Sequence, residues 1–287
     1  MKIFRDKNLL QQYILQAKAN GQSIGFVPTM GTLHQGHLSL IKQSKKANDL
    51  TFCSIFVNPT QFNNPEDLAT YPRQEASDIE KLTAAGCDAV FIPDNQTMYP
   101  TGLDTSKLLQ FNFGILEQQL EGAHRPGHFN GVGIVVSKLF HLVSPDNAYF
   151  GLKDLQQFLI IRKMVRDLSF PLQVHGCPTV RESDGLAMSS RNLKLSTEER
   201  QIAPSLHEGL TLVQQAILSG ESVQNALQKG LAHIEQSKVF TVEYLEVRET
   251  ETLTKVDNVS SLPEYAILVA AHLGNVRLID NLLVQQS

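Results

Sequence analysis

Two short runs, Ile24 to Val27 and Leu50 to Val57, are apolar almost without interruption. A strand with one wet face alternates apolar and polar residues. A near-continuous apolar run is what a parallel strand covered on both faces needs. Pro28 cannot donate to a sheet ladder, so the first strand is expected to end at Val27. Gly31 and Gly36 allow backbone angles that other residues resist. From His37 onward Leu38, Leu40 and Ile41 recur at helical spacing, with Lys42, Lys45 and Lys46 on another face. The order is strand, glycine-containing loop, helix.

The same alternation continues. Asn8 to Ala19 reads as a helix ended by Asn20-Gly21. Glu75 to Ala85 reads as a helix stopped by Gly86, and Ala89 to Ile92 as a strand stopped by Pro93. Leu108 to Phe113 is read as a strand. Residues 122–133, rich in glycine, are read as a mobile loop before a helix from Val132 to Leu142. Asn147 to Phe150 is a strand, Leu155 to Leu168 a helix, and Pro171 to Val174 the last strand of this part. Together they predict an α/β fold with a doubly wound parallel sheet, whose ligands bind beyond the carboxyl ends of the strands. His34, His37, Asn58 and Gln61 fall at such ends.

At 287 residues the chain is expected to hold about two domains, with a boundary at Gly176-Cys177-Pro178. The expected division is residues 1–176 and 177–287. In the second part Ser196 with Glu199 forms a capping box that opens a helix reaching Gly220, and Ser222 opens another. Phe240 to Val247, Tyr265 to Ala271 and Val276 to Ile279 read as strands, the last two joined by a Gly274-Asn275 turn. This predicts a smaller α+β unit with antiparallel strands.

Composition narrows the function. A net charge of −4 argues against a nucleic-acid partner, and with no tryptophan no base can stack on indole. Any anionic ligand must meet a local basic cluster. Cys53, Cys87 and Cys177 form no CxxC pair, as expected of reduced thiols in a cytoplasmic protein. Met1 to Asp6 has no apolar stretch after its basic start, so no secretory signal is expected. No apolar run approaches the ~18 residues of a membrane span.

A helix start carries unpaired N–H groups and partial positive charge, a ready site for an anion. His34-Gln35-Gly36-His37 at such a start resembles the nucleotide-binding signature of the nucleotidyltransferase and class I tRNA synthetase superfamily, whose imidazoles stabilise charge at the α phosphate of ATP. Four more motifs follow in order: Phe56-Val57-Asn58-Pro59 with Gln61-Phe62; Arg125-Pro126-Gly127-His128-Phe129; Lys153-Asp154 with Gln156-Gln157; and Met188-Ser189-Ser190-Arg191-Asn192. With Pro28-Thr29-Met30-Gly31 they resemble the pantothenate synthetase family, ATP-dependent ligases of pantoate and β-alanine.

The resemblance implies a Rossmann-like amino-terminal domain, a smaller carboxyl-terminal lid domain and a homodimer. It implies ATP as a substrate, with Mg2+ following from the ATP chemistry alone. It casts His34, His37 and Lys153 as catalytic. ATP would meet Met30, Gly31, Thr32, Leu33, His34, Gln35, Gly36, His37, Gly151, Leu152, Lys153, Asp154, Val180, Met188, Ser189, Ser190 and Arg191. Pantoate and β-alanine would meet Met30, Asn58, Gln61, Phe62, Gln157, Arg125 and His128. Asp154 could bind ribose or pair with Lys153, and the sequence leaves both open. One departure is visible: Leu152 stands where the family usually has Glu. Asp78 is the one acidic candidate for the magnesium side, and it has no evident partner.

Overall fold

The computed structural model describes residues 1–286. Six strands form one parallel sheet: β1 (Lys2–Phe4), β2 (Ile24–Thr29), β3 (Leu50–Ile55), β4 (Ala89–Phe91), β5 (Asn147–Gly151) and β6 (Gln173–Cys177). Their spatial order is β1-β4-β3-β2-β5-β6. The helices that matter here are α1 (Lys7–Ala19), α2 (Gln35–Ala47), α3 (Glu75–Ala84), α4 (His128–Val143) and α5 (Leu155–Asp167).

Successive strand residues point to opposite faces, and the register sorts the core accordingly. Phe26 lies opposite Phe52. On that face Phe26 meets Phe140 of α4 edge-on, and Phe52 meets Tyr13 of α1. Val27 lies opposite Cys53, and Cys53 opposite Val90. These three pack with Leu40 and Ile41 of α2 and Leu82 of α3. Helices therefore cover both faces, and the doubly wound parallel sheet is as expected.

Several expectations are corrected. β2 runs through Pro28 to Thr29 rather than ending at Val27. The Thr29 carbonyl accepts from Phe56, so Thr29 turns its backbone groups toward β3. Pro28, one residue earlier, faces the β5 side, where pairing with β2 has already stopped at Phe26. Its missing N–H thus costs no ladder bond. β1 is unexpected: three residues at a sheet edge carry too little pattern to read. β6 lies at Gln173–Cys177, later than the predicted 171–174.

Leu108 to Phe113 is not a strand. Phe111 and Phe113 stack on each other, and the Phe111 amide donates to Asn130 Oδ1 at 2.8 Å. Nor are residues 122–133 a loop throughout. A short helical turn covers Leu120–His124, and α4 begins at His128, four residues before the expected Val132. The helical glycines there serve close packing: a Cβ on Gly131 would stand 2.3 Å from the Thr60 carbonyl oxygen.

The chain divides into two units, Met1–Leu152 with Gln156–Pro178, and Lys153–Leu155 with Thr179 onward. The second unit has an antiparallel sheet of β7 (Phe240–Glu249), β8 (Glu264–Leu273) and β9 (Val276–Gln285), in that order. Leu273 pairs with Val276 across the Gly274-Asn275 turn. The Ser196–Glu199 capping box is present, but the helix it opens, α6 (Thr197–Ile202), stops well short of Gly220. Pro204 interrupts the single helix expected here, and α7 (Ser205–Leu218) and α8 (Val223–Glu235) follow. Leu206, Leu210, Val213 and Ile234 pack against Tyr265, Ile267 and Val269 of the sheet.

His207 of α7 has its Nδ1 3.8 Å from the Asp280 carboxylate. Burial, and then the Arg181 charge, hold its pKa below the usual 6.5, against the pull of Asp280 and Glu208. The unfolded ring therefore binds protons more readily than the folded one, and stability falls as pH drops below about 6.5. Thermal melts from pH 7 to pH 5 are expected to show a smaller pH slope for His207→Gln than for the parent chain. An unchanged slope would contradict this.

Candidate active site

In the six-stranded sheet β2, β3 and β4 succeed one another in one direction, whereas β5 lies on the other side of β2. The crevice beyond the carboxyl ends of β2 and β5 is thus the topological switch point, where ligands bind in open α/β sheets. Residues 30–37 follow β2 there, and Gly151 and Leu152 end or follow β5.

The loop after β2 is held from beneath. Gly31 has φ of 83° and Thr32 φ of 53°, the left-handed region that a threonine resists. Asp78 of α3, fully buried, accepts from the amides of Thr32 and Leu33, each at 2.7 Å. The Thr32 hydroxyl donates to the Pro72 carbonyl at 2.7 Å, and Lys81 Nζ donates to the Leu33 carbonyl at 2.8 Å. These contacts come from residues 40 to 48 positions away and stabilise a turn that its own sequence would not favour. Sequence reasoning missed this role of Asp78, since only the tertiary fold brings α3 under the loop.

His34 is the N-cap of α2, and both histidines use Nδ1 for the cap. The Gly36 amide donates to His34 Nδ1 at 3.1 Å, and the His34 amide donates to His37 Nδ1 at 3.4 Å. The ring centroids are 4.1 Å apart. A neutral ring whose Nδ1 accepts must carry its proton on Nε2. Each imidazole is therefore fixed as an Nε2–H donor beside a helix N-terminus, suited to a phosphate oxygen.

A second group converges near the carboxyl end of β3. Gln61 Nε2 donates to Met30 Sδ at 2.8 Å, and Asn58 Nδ2 donates to Gln61 Oε1 at 3.2 Å and to the Gly131 carbonyl at 3.1 Å. Tyr99 donates to Asn58 Oδ1 at 2.6 Å. Met30, Asn58 and Gln61, expected to share a substrate, are thus brought together. Phe62 meets Tyr71 edge-on. Arg125 and His128 both donate to the Gln61 carbonyl, His128 Nδ1 at 2.8 Å and Arg125 at 3.4 Å. Both hold the Gln61 backbone. Gln156 is buried on the Leu116 and Gln119 carbonyls, while Gln157 is half-buried. Leu152 lies over Gly176, where a Cβ would come within 2.6 Å of its Cδ2, so this side chain packs on β6.

In the second unit, residues 179–192 form a tight hairpin. Met188 donates to the Val180 carbonyl at 3.0 Å, and Arg181 bridges Ala187. Ser189 caps the turn Ser190–Lys194 by accepting from the Arg191 amide at 3.2 Å. Val180, Met188, Ser189, Ser190 and Arg191 thereby sit on one short element. Lys153, half-buried, and exposed Asp154 lie in the turn Leu152–Asp154.

Among the described residues no three His, Cys, Asp or Glu side chains gather as metal ligands, and Asp78 already accepts two amides. The three cysteines are free and buried. Burial pushes Cys87 up to about 12 and Cys53 well above its usual range, so neither is a ready nucleophile.

A family model described as Pantoate-beta-alanine ligase matches residues 2–283. The chain belongs to this family. The pantothenate synthetase of Cytophaga hutchinsonii is 46% identical over 276 residues, 96% of either chain. That of Moorella thermoacetica is 44% identical over 289 residues, 99% of either. The crystal structure of pantothenate synthetase from Thermus thermophilus matches with a TM-score of 0.92 at 42% identity, covering 98% of this chain and 99% of that one. A pantoate-beta-alanine ligase from Francisella tularensis, complexed with beta-gamma ATP and beta-alanine, matches with a TM-score of 0.82 at 38% identity, covering 99% and 97%. The family read from ordered motifs is the family found, and the Rossmann-like parallel sheet with a small α+β unit agrees with its solved members.

Proposed function

We infer that the chain ligates pantoate and β-alanine at the expense of ATP, with AMP and pyrophosphate as the other products. The observation that carries this is the family match across nearly the whole length. In the first step the pantoate carboxylate attacks the α phosphorus and pyrophosphate leaves. In the second the β-alanine amine attacks the pantoyl carbonyl and AMP leaves. A free carboxylate resists amine attack, so adenylation supplies the leaving group. The first step brings two anions together, and catalysis is mostly positioning and charge stabilisation.

We assign the parts as follows. His34 and His37 donate through Nε2–H to ATP phosphate oxygens, with His37 as the proton donor. Their fixed tautomer supports this. Residues 30–37 and 151–154 carry ATP, with the Lys153 ammonium between carboxylate and α phosphate. That ammonium makes no hydrogen bond or ion pair with any described side chain, so it is available to a ligand. Val180, Met188, Ser189, Ser190 and Arg191 bind from the carboxyl-terminal unit, which acts as the lid. The Arg191 fork suits phosphate. Gln61 and Gln157 orient pantoate through uncharged amides, Met30 and Phe62 face its methyl groups, and Asn58, Arg125 and His128 hold the Gln61 loop. Mg2+, if bound, would be held by the ATP phosphates and would offset their charge. Hard divalent ions of this kind keep water and phosphate as most of their ligands, which suits a protein without a carboxylate cluster among its described residues. We propose a cytoplasmic homodimer as the working form, its pairing implied by the family resemblance. Separately, no described helix is long and apolar enough to cross a membrane.

The test is product analysis with ATP, Mg2+, pantoate and β-alanine. Free AMP and pantothenate in equal amounts are expected. No turnover by folded protein, or a stable product that keeps the adenylyl group, would contradict the assignment.

A further inference from the structure

We infer that Asn281 is a positioning residue for this reaction. Its side-chain amide holds the backbone of Lys153, and its own backbone is held by the guanidinium that also braces the 179–192 hairpin. The inference rests on the reading above that Lys153 serves adenylation.

Lys153–Leu155 belong with the residues from Thr179 onward, although Leu152 and Gln156 on either side do not. The link is specific. Asn281 Nδ2 donates to the Lys153 carbonyl at 2.8 Å across 128 positions of sequence. Asn281 is buried, and asparagine is poorly suited to strands. It lies in β9 opposite Leu268 of the central strand β8, on a fully paired ladder. A buried amide needs partners, and here one of them is the lysine backbone.

The network then extends to the hairpin. The Asn281 carbonyl accepts from Arg181 at 3.1 Å. Arg181 grips the Asp280 carboxylate with both arms, at 2.6 and 3.0 Å, and donates to the Gly185 carbonyl at 3.0 Å. It also bridges Ala187, whose carbonyl takes the Asn192 amide at 3.1 Å. Two adjacent residues of β9 thus set the Lys153 turn and the Met188–Arg191 segment in one frame. The lysine stem is flexible, but its ammonium reaches only as far as its backbone allows. A small backbone shift there would misplace the charge relative to the α phosphate, and misplacements near 1 Å cost about 10²-fold in rate.

The test measures pantoyl adenylate formation by rapid quench, per folded molecule, with ATP, Mg2+ and pantoate. The variants are Asn281→Ala, Asn281→Asp, Lys153→Ala and the double variant of Lys153→Ala with Asn281→Ala. Asn281→Asp keeps the shape and removes the donor. Both single Asn281 variants are expected to lower kcat about 10- to 100-fold with little change in KM. In the Lys153→Ala background Asn281→Ala should cost nothing further, because residues acting through one another are not additive. Melting curves give the folded fraction, and a merely structural role would lower that fraction while leaving kcat of the folded molecules intact. That result, or a full further loss in the double variant, would overturn the inference while leaving the ligase reading standing. Parental activity of Lys153→Ala would overturn the role of the lysine itself, and the inference with it.

Discussion

Replacing His37 by alanine is expected to slow pantoyl adenylate formation by about 10²-fold or more while leaving the fold nearly intact. The two effects separate because the residue does two jobs of different size. As a cap it accepts the His34 amide at 3.4 Å, a long bond, and loss of a cap costs about 1 kcal/mol. As a preorganised donor to charge forming on the α phosphate, it acts where one donor is worth about 10² to 10³ in rate. Rapid-quench rates and thermal melts on the same sample would check both. A rate within a few-fold of the parent would remove His37 from the chemistry.

The second large effect is expected at a residue beneath the proposed ATP loop, whose carboxylate is taken up by the Thr32 and Leu33 amides. Asp78→Ala should lower stability by about 3 kcal/mol, since two buried amides lose their acceptor and an unsatisfied buried donor costs about 1–3 kcal/mol. Part of that is offset, because alanine also removes the cost of burying a carboxylate. Thr32 at φ of 53° would then be held only through its hydroxyl on the Pro72 carbonyl and the Lys81 bond to Leu33, and the loop before His34 should relax. ATP binding should therefore weaken together with unfolding free energy. Denaturant melts and ATP titration would show it, and a loss below about 1 kcal/mol with normal ATP binding would contradict the account.

Asp78 also shows where reading from sequence stops. The strand, loop and helix around His34 and His37 are legible because their signals are local: an apolar run, two glycines, a helical period. That β2 and β3 are covered on both faces follows from the same apolar runs, whereas which residue takes which face is set by the register. Asp78 carries no such signal. Its partners lie 45 and 46 positions away, and as a lone acid it suggests a metal instead. Pro28 misleads for a related reason. A proline ends a strand only where its missing donor is needed, and that depends on how far β5 runs alongside β2.

Glycine misleads in the opposite sense. Gly131 and Gly133 look like chain flexibility, yet they sit inside α4, where the Thr60 carbonyl and the Phe111 and Phe113 rings leave no room for a Cβ. Ordered motifs are enough to name the family. That Lys153 is tied to β9 through Asn281 is out of reach, because 128 positions separate the two residues.

The central claim is that the pantoate carboxylate attacks the α phosphorus of ATP. Pantoate labelled with 18O in its carboxylate tests it directly. The account predicts that one labelled oxygen leaves with AMP and none appears in pyrophosphate. Label in pyrophosphate or inorganic phosphate, or unlabelled AMP alongside labelled pantothenate, would contradict it.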